Sequence, residues 1–236
     1  MCLFFNNVVF SIMVAIKMVE STSGSNRIVG GTICNIKDYP FMVSLRYTNT
    51  LQHFCGGSLI AEKWILSAAH CMKNILNTPW LLTAVLGEQR SDSTTNGQLI
   101  PARQIFNHDE FDEHSLDNDI SLVLLKSEVN FIVGIFDTLD LPRSLYMPED
   151  LTFELPGRQL IVAGWGSTEI IASSKNYTAI VSPELKCVNV SYITFEECFQ
   201  LSRAATRKHI CTFSKAGGED SCIGDSGGPL FQGRTI

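Results

Sequence analysis

What most limits the folds open to this chain is a succession of short apolar runs, none with a helical period. In the first half they are Phe41–Arg46, Ser58–Ile60, Trp64–Ser67, Leu81–Leu86, Ile100–Phe106 and Ile120–Leu125, and Gln159–Ala163 follows later. Turn-forming residues separate them. Many brief strands between turn signals predict an all-β protein, either a barrel or a sandwich. At 236 residues and 45% hydrophobic content, the chain is long enough to bury one large core or two small ones. The stretch from Leu141-Pro142 to Pro156-Gly157 is rich in proline and charge and reads as a linker with a small insertion. Gly166–Ser174 reads as a mobile loop.

Charge narrows the choice of partners. The formal net charge is −6, without a basic cluster or a long run of one sign, which argues against nucleic acid and against a polybasic membrane patch. The apolar run Val8–Ile16 is too short to cross a bilayer. A polar segment, Glu20–Arg27, follows it abruptly, so a signal peptide over residues 1–23 is expected, with Ser21 and Ser23 near the cleavage point.

The eight cysteines are Cys2, Cys34, Cys55, Cys71, Cys187, Cys198, Cys211 and Cys222. None forms a C-x-x-C pair, so a zinc ribbon or dithiol redox site is not expected. Scattered cysteines behind an apolar leader point instead to disulfides formed in an oxidising compartment. If Cys2 leaves with the leader, an odd number remains.

Three stretches carry chemistry. Gly224-Asp225-Ser226-Gly227-Gly228-Pro229 holds a serine between an acid and two glycines, more than an ordinary turn requires. A serine on such a loop needs a histidine base and a buried carboxylate to become a nucleophile. Trp64-Ile65-Leu66-Ser67-Ala68-Ala69-His70-Cys71 runs from an apolar strand into small residues that leave room around the His70 ring. A disulfide at Cys71 would pin the adjacent backbone, and Cys55 is its natural partner. In Asp117-Asn118-Asp119-Ile120-Ser121-Leu122, Asp119 opens an apolar strand and lies at the lip of the core, with Asp117 one step further out. A strand-capping acid is the plainer reading of Asp119; a carboxylate orienting an imidazole is the sharper one.

With Ile28-Val29-Gly30-Gly31 ahead of them, these stretches resemble, in order, the trypsin/chymotrypsin family of serine endopeptidases, and the likeness runs from Ile28 to Ile236. It implies two packed antiparallel Greek-key β-barrels, the first to about residue 140 and the second from about 155. It also implies a catalytic set of Ser226 as nucleophile, His70 as general base and Asp119 as the group that holds the imidazole. The N–H groups of Gly224 and Ser226 would form the oxyanion hole. Arg27 would be the processing site that ends a short activation peptide, residues 24–27, and frees the Ile28 ammonium for Asp225. Asp220 would floor the primary pocket and favour Arg or Lys. The pairs Cys34–Cys187, Cys55–Cys71 and Cys198–Cys211 match bridges of the family, whereas Cys222 is left unpaired.

Further implications concern partners and the end of the chain. Protein and peptide substrates and protein inhibitors are the expected partners of a secreted, extracellular monomer that needs no cofactor. Calcium-binding relatives carry several acids in one loop of the first barrel. Here Glu88-Gln89-Arg90-Ser91-Asp92-Ser93 offers too few, so no metal site and no calcium dependence are expected. Asn176 and Asn189 match the glycosylation pattern, a weak signal. Members of the family continue for several tens of residues past the serine, which implies that the second barrel is incomplete at the C-terminus. The chain as written is therefore expected to be a fragment or truncated product that is inactive or poorly folded. The alternative function is a catalytically silent, protease-like binding protein or a non-functional truncated fragment; the intact serine, histidine and aspartate set argues for the enzyme.

Overall fold

A computed structural model describes residues 31–131, 136–141, 156–172, 177–213 and 224–236. The predicted signal and activation peptides, Arg27, Ile28, Asn176, Asp220 and Cys222 lie outside the described residues, as does most of the expected linker.

The short apolar runs of the first half become strands β2 (Met42–Tyr47), β3 (His53–Ala61), β4 (Trp64–Ser67), β5 (Leu82–Leu86), β6 (Gln98–Asn107) and β7 (Ser121–Leu125). They close into an antiparallel barrel in the order β2-β3-β4-β7-β6-β5. Closure leaves no unpaired edge. Strand periodicity decides what fills it: alternate residues such as Val43, Leu45, Leu59, Ile65, Ala84, Leu86 and Val123 converge on one core and are fully or almost fully buried.

A second, five-stranded antiparallel sheet is built from β1 (Thr32–Ile33), β8 (Gln159–Gly164), β11 (Lys186–Ile193), β12 (Cys211–Phe213) and β13 (Leu230–Phe231). It runs in the order β1-β11-β8-β13, with β12 paired to β11, and stays open among the described residues. The chain therefore has the all-β, two-part architecture expected of a trypsin-like double barrel. Gly166–Ser174, expected as a loop, is corrected: it contains β9 (Ser167–Ala172), which pairs with β10 (Tyr177–Val181). That ladder pairs the backbone groups along the facing edges of the two segments.

Between barrel and second sheet lies a separate apolar cluster of Phe41, Met42, Leu139, Ala163, Trp165, Leu185 and Phe231. Phe231 meets Phe41 and Tyr39 edge-on at 5.1 and 5.5 Å between ring centroids. Met42 joins this cluster while its neighbours Val43 and Leu45 face the barrel interior, so β2 is buried on both faces.

Three disulfides among the described residues add covalent ties. Cys34–Cys187 joins the chain just after β1 to β11 across 153 residues. Cys55–Cys71 links β3 to the short helix α1 (Ala69–Met72), and Cys198–Cys211 links helix α2 (Phe195–Leu201) to β12. Helix α2 starts at a capping box in which the Thr194 hydroxyl and the Glu197 carboxylate satisfy each other's backbone N–H groups.

Candidate active site

The pairing of β4 with β7 brings His70 and Asp119 together. Ser67, the last residue of β4, lies opposite Ser121, the first of β7. In an antiparallel pair the residues just beyond one strand therefore meet those just before the other. Asp119 reaches its place through a tight turn in which Leu116 and Asn118 take left-handed backbone angles, φ 60° and 58°. That conformation is unfavourable for leucine, so the surrounding structure holds it there.

Asp119 accepts two hydrogen bonds from one residue. The His70 backbone N–H donates to Oδ1 at 2.7 Å, and Nδ1 of the ring lies 2.8 Å from Oδ2. The Asp119 side chain is fully covered, whereas that of His70 is 21% exposed. Burial pushes the Asp119 carboxyl above its ordinary value, opposed first by the hydrogen bond from the His70 ring. An ionised Asp119 keeps the ring proton on Nδ1 and leaves Nε2 with its lone pair. Asp117 is placed elsewhere: it accepts from the Thr206 hydroxyl at 2.9 Å and lies 3.8 Å from Lys208 Nζ.

The Ser226 loop is pulled against the same end of the barrel. The Ser226 carbonyl accepts from the Gly56 N–H on β3 at 2.8 Å. It also lies 3.7 Å from Cys71 Sγ, and His70 Nε2 approaches the same sulfur at 3.6 Å. The Cys55–Cys71 bridge thus sits between the half-buried Ser226 and His70. Gly224 has φ 102°, a backbone state that a side chain would oppose, which accounts for glycine at this point of the loop. Asp225 turns inward. Its Oδ1 accepts the Gly166 N–H at 2.6 Å, and a Cβ on Gly166 would lie 2.6 Å from Oδ1 and nearer still to Cγ and Oδ2.

Sequence reasoning missed His53, Ser44 and Arg46. His53 opens β3 and is 4% exposed; its Nε2 lies 2.9 Å from the Gly224 carbonyl and its Nδ1 2.8 Å from Ser44 Oγ. Desolvation takes its pKa from 6.5 to about 4, with the Gly224 bond opposing and the Arg46 charge assisting. His53 is therefore neutral when folded at pH 7. Between pH 6.5 and about 4 the unfolded chain binds more protons, so this contribution to stability is complete above 6.5 and lost as pH falls toward 4. Burial shifts His209 downward too, so acidification costs stability there in the same direction. Urea unfolding between pH 7 and 4 should show this acid loss, with a shallower slope in His53→Gln.

Other expected features fall as follows. Asn189 is exposed on β11. The Glu88 carboxylate is buried, 3.0 Å from the Asn96 N–H, and lies within electrostatic reach of Arg46. Among the described residues one group has metal-like spacing, Cys55, His70 and Cys71, and its two cysteines are bonded to each other. No described helix is long and apolar enough to cross a membrane.

A buried carboxylate aligning an imidazole, with a serine-bearing glycine loop at the junction of a closed barrel and a second sheet, has the layout of a double-barrel serine hydrolase. The comparisons with known proteins agree. A family model described as Trypsin matches residues 28–236. Anionic trypsin of Canis lupus familiaris is 35% identical over 211 residues, 89% of this chain and 76% of the relative. Trypsin of Sus scrofa is 35% identical over 211 residues, covering 89% and 81%. Cationic trypsin-3 of Rattus norvegicus is 35% identical over 207 residues, covering 87% and 74%. The chain belongs to the trypsin family of serine proteases.

Proposed function

We propose that the protein is a secreted endopeptidase that cleaves after Arg or Lys through an acyl-enzyme, made as a precursor and activated at Arg27-Ile28. The observation that carries this reading is the doubly bonded, fully covered Asp119 carboxylate on His70, beside the Ser226 loop, in a chain of this family. Ser226 Oγ attacks the scissile carbonyl and His70 Nε2 takes its proton. The proton then passes to the leaving amine, and Asp119 stabilises the imidazolium formed in between. Water deacylates the enzyme by the same route. The N–H groups of Gly224 and Ser226 bind the oxyanion, a contribution of about 3 kcal/mol per donor in enzymes of this kind.

Asp220 floors the pocket and selects a cationic side chain. After cleavage, Asp225 receives the Ile28 ammonium. A signal peptide over 1–23, an activation peptide over 24–27 and a peptidase domain from 28 onward complete the reading, supported by a family match that begins at residue 28. Three bridges among the described residues favour an extracellular setting. The enzyme acts as a monomer on protein substrates, and protein inhibitors are its natural antagonists.

The test uses the purified protein treated with trypsin. Hydrolysis of Arg and Lys esters, with fluorophosphonate labelling confined to Ser226, is the expected result. A folded sample that is neither labelled nor active would overturn the reading. Arg27→Gln should stay silent after trypsin treatment. Asp220→Ser should lose the Arg/Lys preference by about a hundredfold or more while Ser226 still reacts. An unchanged preference would remove Asp220 from the pocket.

A further inference from the structure

Arg46 is 1% exposed, on a strand whose preceding residues, Met42, Val43, Ser44 and Leu45, are all buried and apolar but for Ser44. Such a guanidinium needs partners on all sides. It faces His53 across the β2–β3 pair, just past an irregularity between Leu45 and Arg46. Its Nη1 and Nη2 donate to the carbonyls of Ser93 and Arg90, at 2.6 and 2.8 Å. Its Nε donates to Ser44 Oγ at 2.9 Å. The loop it holds is tied down elsewhere, by Ser91 N–H to the Pro183 carbonyl and Ser91 Oγ to that of Ser182.

These bonds run in one direction. A guanidinium only donates, so Ser44 Oγ accepts from Arg46. The Gly224 carbonyl only accepts, so the neutral His53 ring carries its proton on Nε2 and donates it there, which leaves Nδ1 to accept the Ser44 hydroxyl hydrogen. Every link agrees with the next, from a cation at one end to a peptide oxygen at the other, a sense in which such bonds strengthen one another. The charged group facing His53 is Arg46; Glu88 and Asp92 act on Arg46 from behind. Trp165 closes the remaining side with its ring edge-on to His53 at 5.7 Å.

We propose that Arg46 is a positioning residue for the Ser226 loop: through Ser44 and His53 it orients the Gly224–Asp225 peptide, and it couples that peptide to the loop carrying Arg90 and Ser93. The catalytic consequence rests on the reading of Ser226 as nucleophile and Gly224 as oxyanion donor; the coupling itself does not. Gly224 has no side chain to brace it, and its carbonyl is a point at which β3 holds it, through His53.

The experiment therefore reads two quantities. The first is the Asp225 amide in a ¹H–¹⁵N spectrum, since that N–H belongs to the same peptide as the Gly224 carbonyl. Arg46→Met and Ser44→Ala should move it in the same direction, and the double variant no further than the larger single change. The second is kcat, which should fall about tenfold in each single variant with KM little changed, a fraction of the loss on deleting an oxyanion donor outright. The double variant should again be non-additive. If Arg46→Met does not fold, Ser44→Ala leaves the guanidinium on its loop carbonyls and carries the test alone. An unmoved Asp225 amide in Ser44→Ala, or additive effects in the double variant, overturns the proposal. Coupled amide shifts without any hydrolysis in the parent would keep the coupling and overturn only the assignment of function.

Discussion

Asp119→Asn should lower kcat by roughly 10⁴-fold with little change in KM, the size that this replacement has in the family's serine–histidine–aspartate set. The reason lies in the two bonds that His70 makes. Its backbone N–H and its Nδ1 both face the carboxylate, at 2.7 and 2.8 Å, and a carboxylate can accept both. An asparagine has one oxygen and one NH2. The backbone N–H cannot change its nature, so it takes the oxygen, and the NH2 group turns to Nδ1. The ring must then accept there and carry its proton on Nε2, which is the wrong tautomer to take a proton from Ser226. The fold should be kept, since shape and bond count are nearly unchanged. Steady-state rates and fluorophosphonate labelling check this; an Asn variant within tenfold of the parent would exclude tautomer control by Asp119.

Gly166→Ala should be nearly as damaging, by a different route. The added Cβ would overlap the Asp225 carboxylate, which now accepts the Gly166 N–H at 2.6 Å. Either the carboxylate leaves, breaking a charge-assisted bond in a buried place, or the β8–β9 connection shifts. The cost of overpacking and of the lost bond is about 3 kcal/mol or more. Because Asp225 adjoins Ser226, labelling of the serine should be lost as well. Gly157→Ala is the control: its Cβ meets nothing within 4 Å, and only its φ of 84° opposes a side chain, at about 1 kcal/mol. Urea unfolding of the two variants decides the matter. Equal losses would show that the Asp225 contact has no special weight.

Much of this architecture is legible in the residues because it follows from strand alternation. The runs at Trp64–Ser67 and Ile120–Leu125 become β4 and β7 within a residue, and the motifs on their ends place His70 and Asp119 at one rim. What stays hidden depends on pairing across the chain. Ser44 and Arg46 alternate with Val43 and Leu45 as a solvent-facing strand edge would, and only the folded chain shows that this face is covered. His53 has no local signal either; its role follows from the β2–β3 register and from a bond to Gly224, 171 residues away. The strand β9 was masked by its glycine-rich entry at Gly164-Trp165-Gly166, whose small residues serve the Asp225 contact instead of a loop.

The long bridge from Cys34 to Cys187 bears on how the protein would survive its own activity. A single internal cut between these two cysteines gives two pieces that remain one molecule, which runs at full length on a gel until a reductant is added. A cut beyond Cys211 is different in kind. All three bridges among the described residues then lie upstream of it, so none of them holds the fragment bearing Ser226 to the remainder. Self-digestion after Arg or Lys would thus be nearly silent as far as Lys208, since Arg203, Arg207 and Lys208 fall between Cys198 and Cys211, and severing after Lys215.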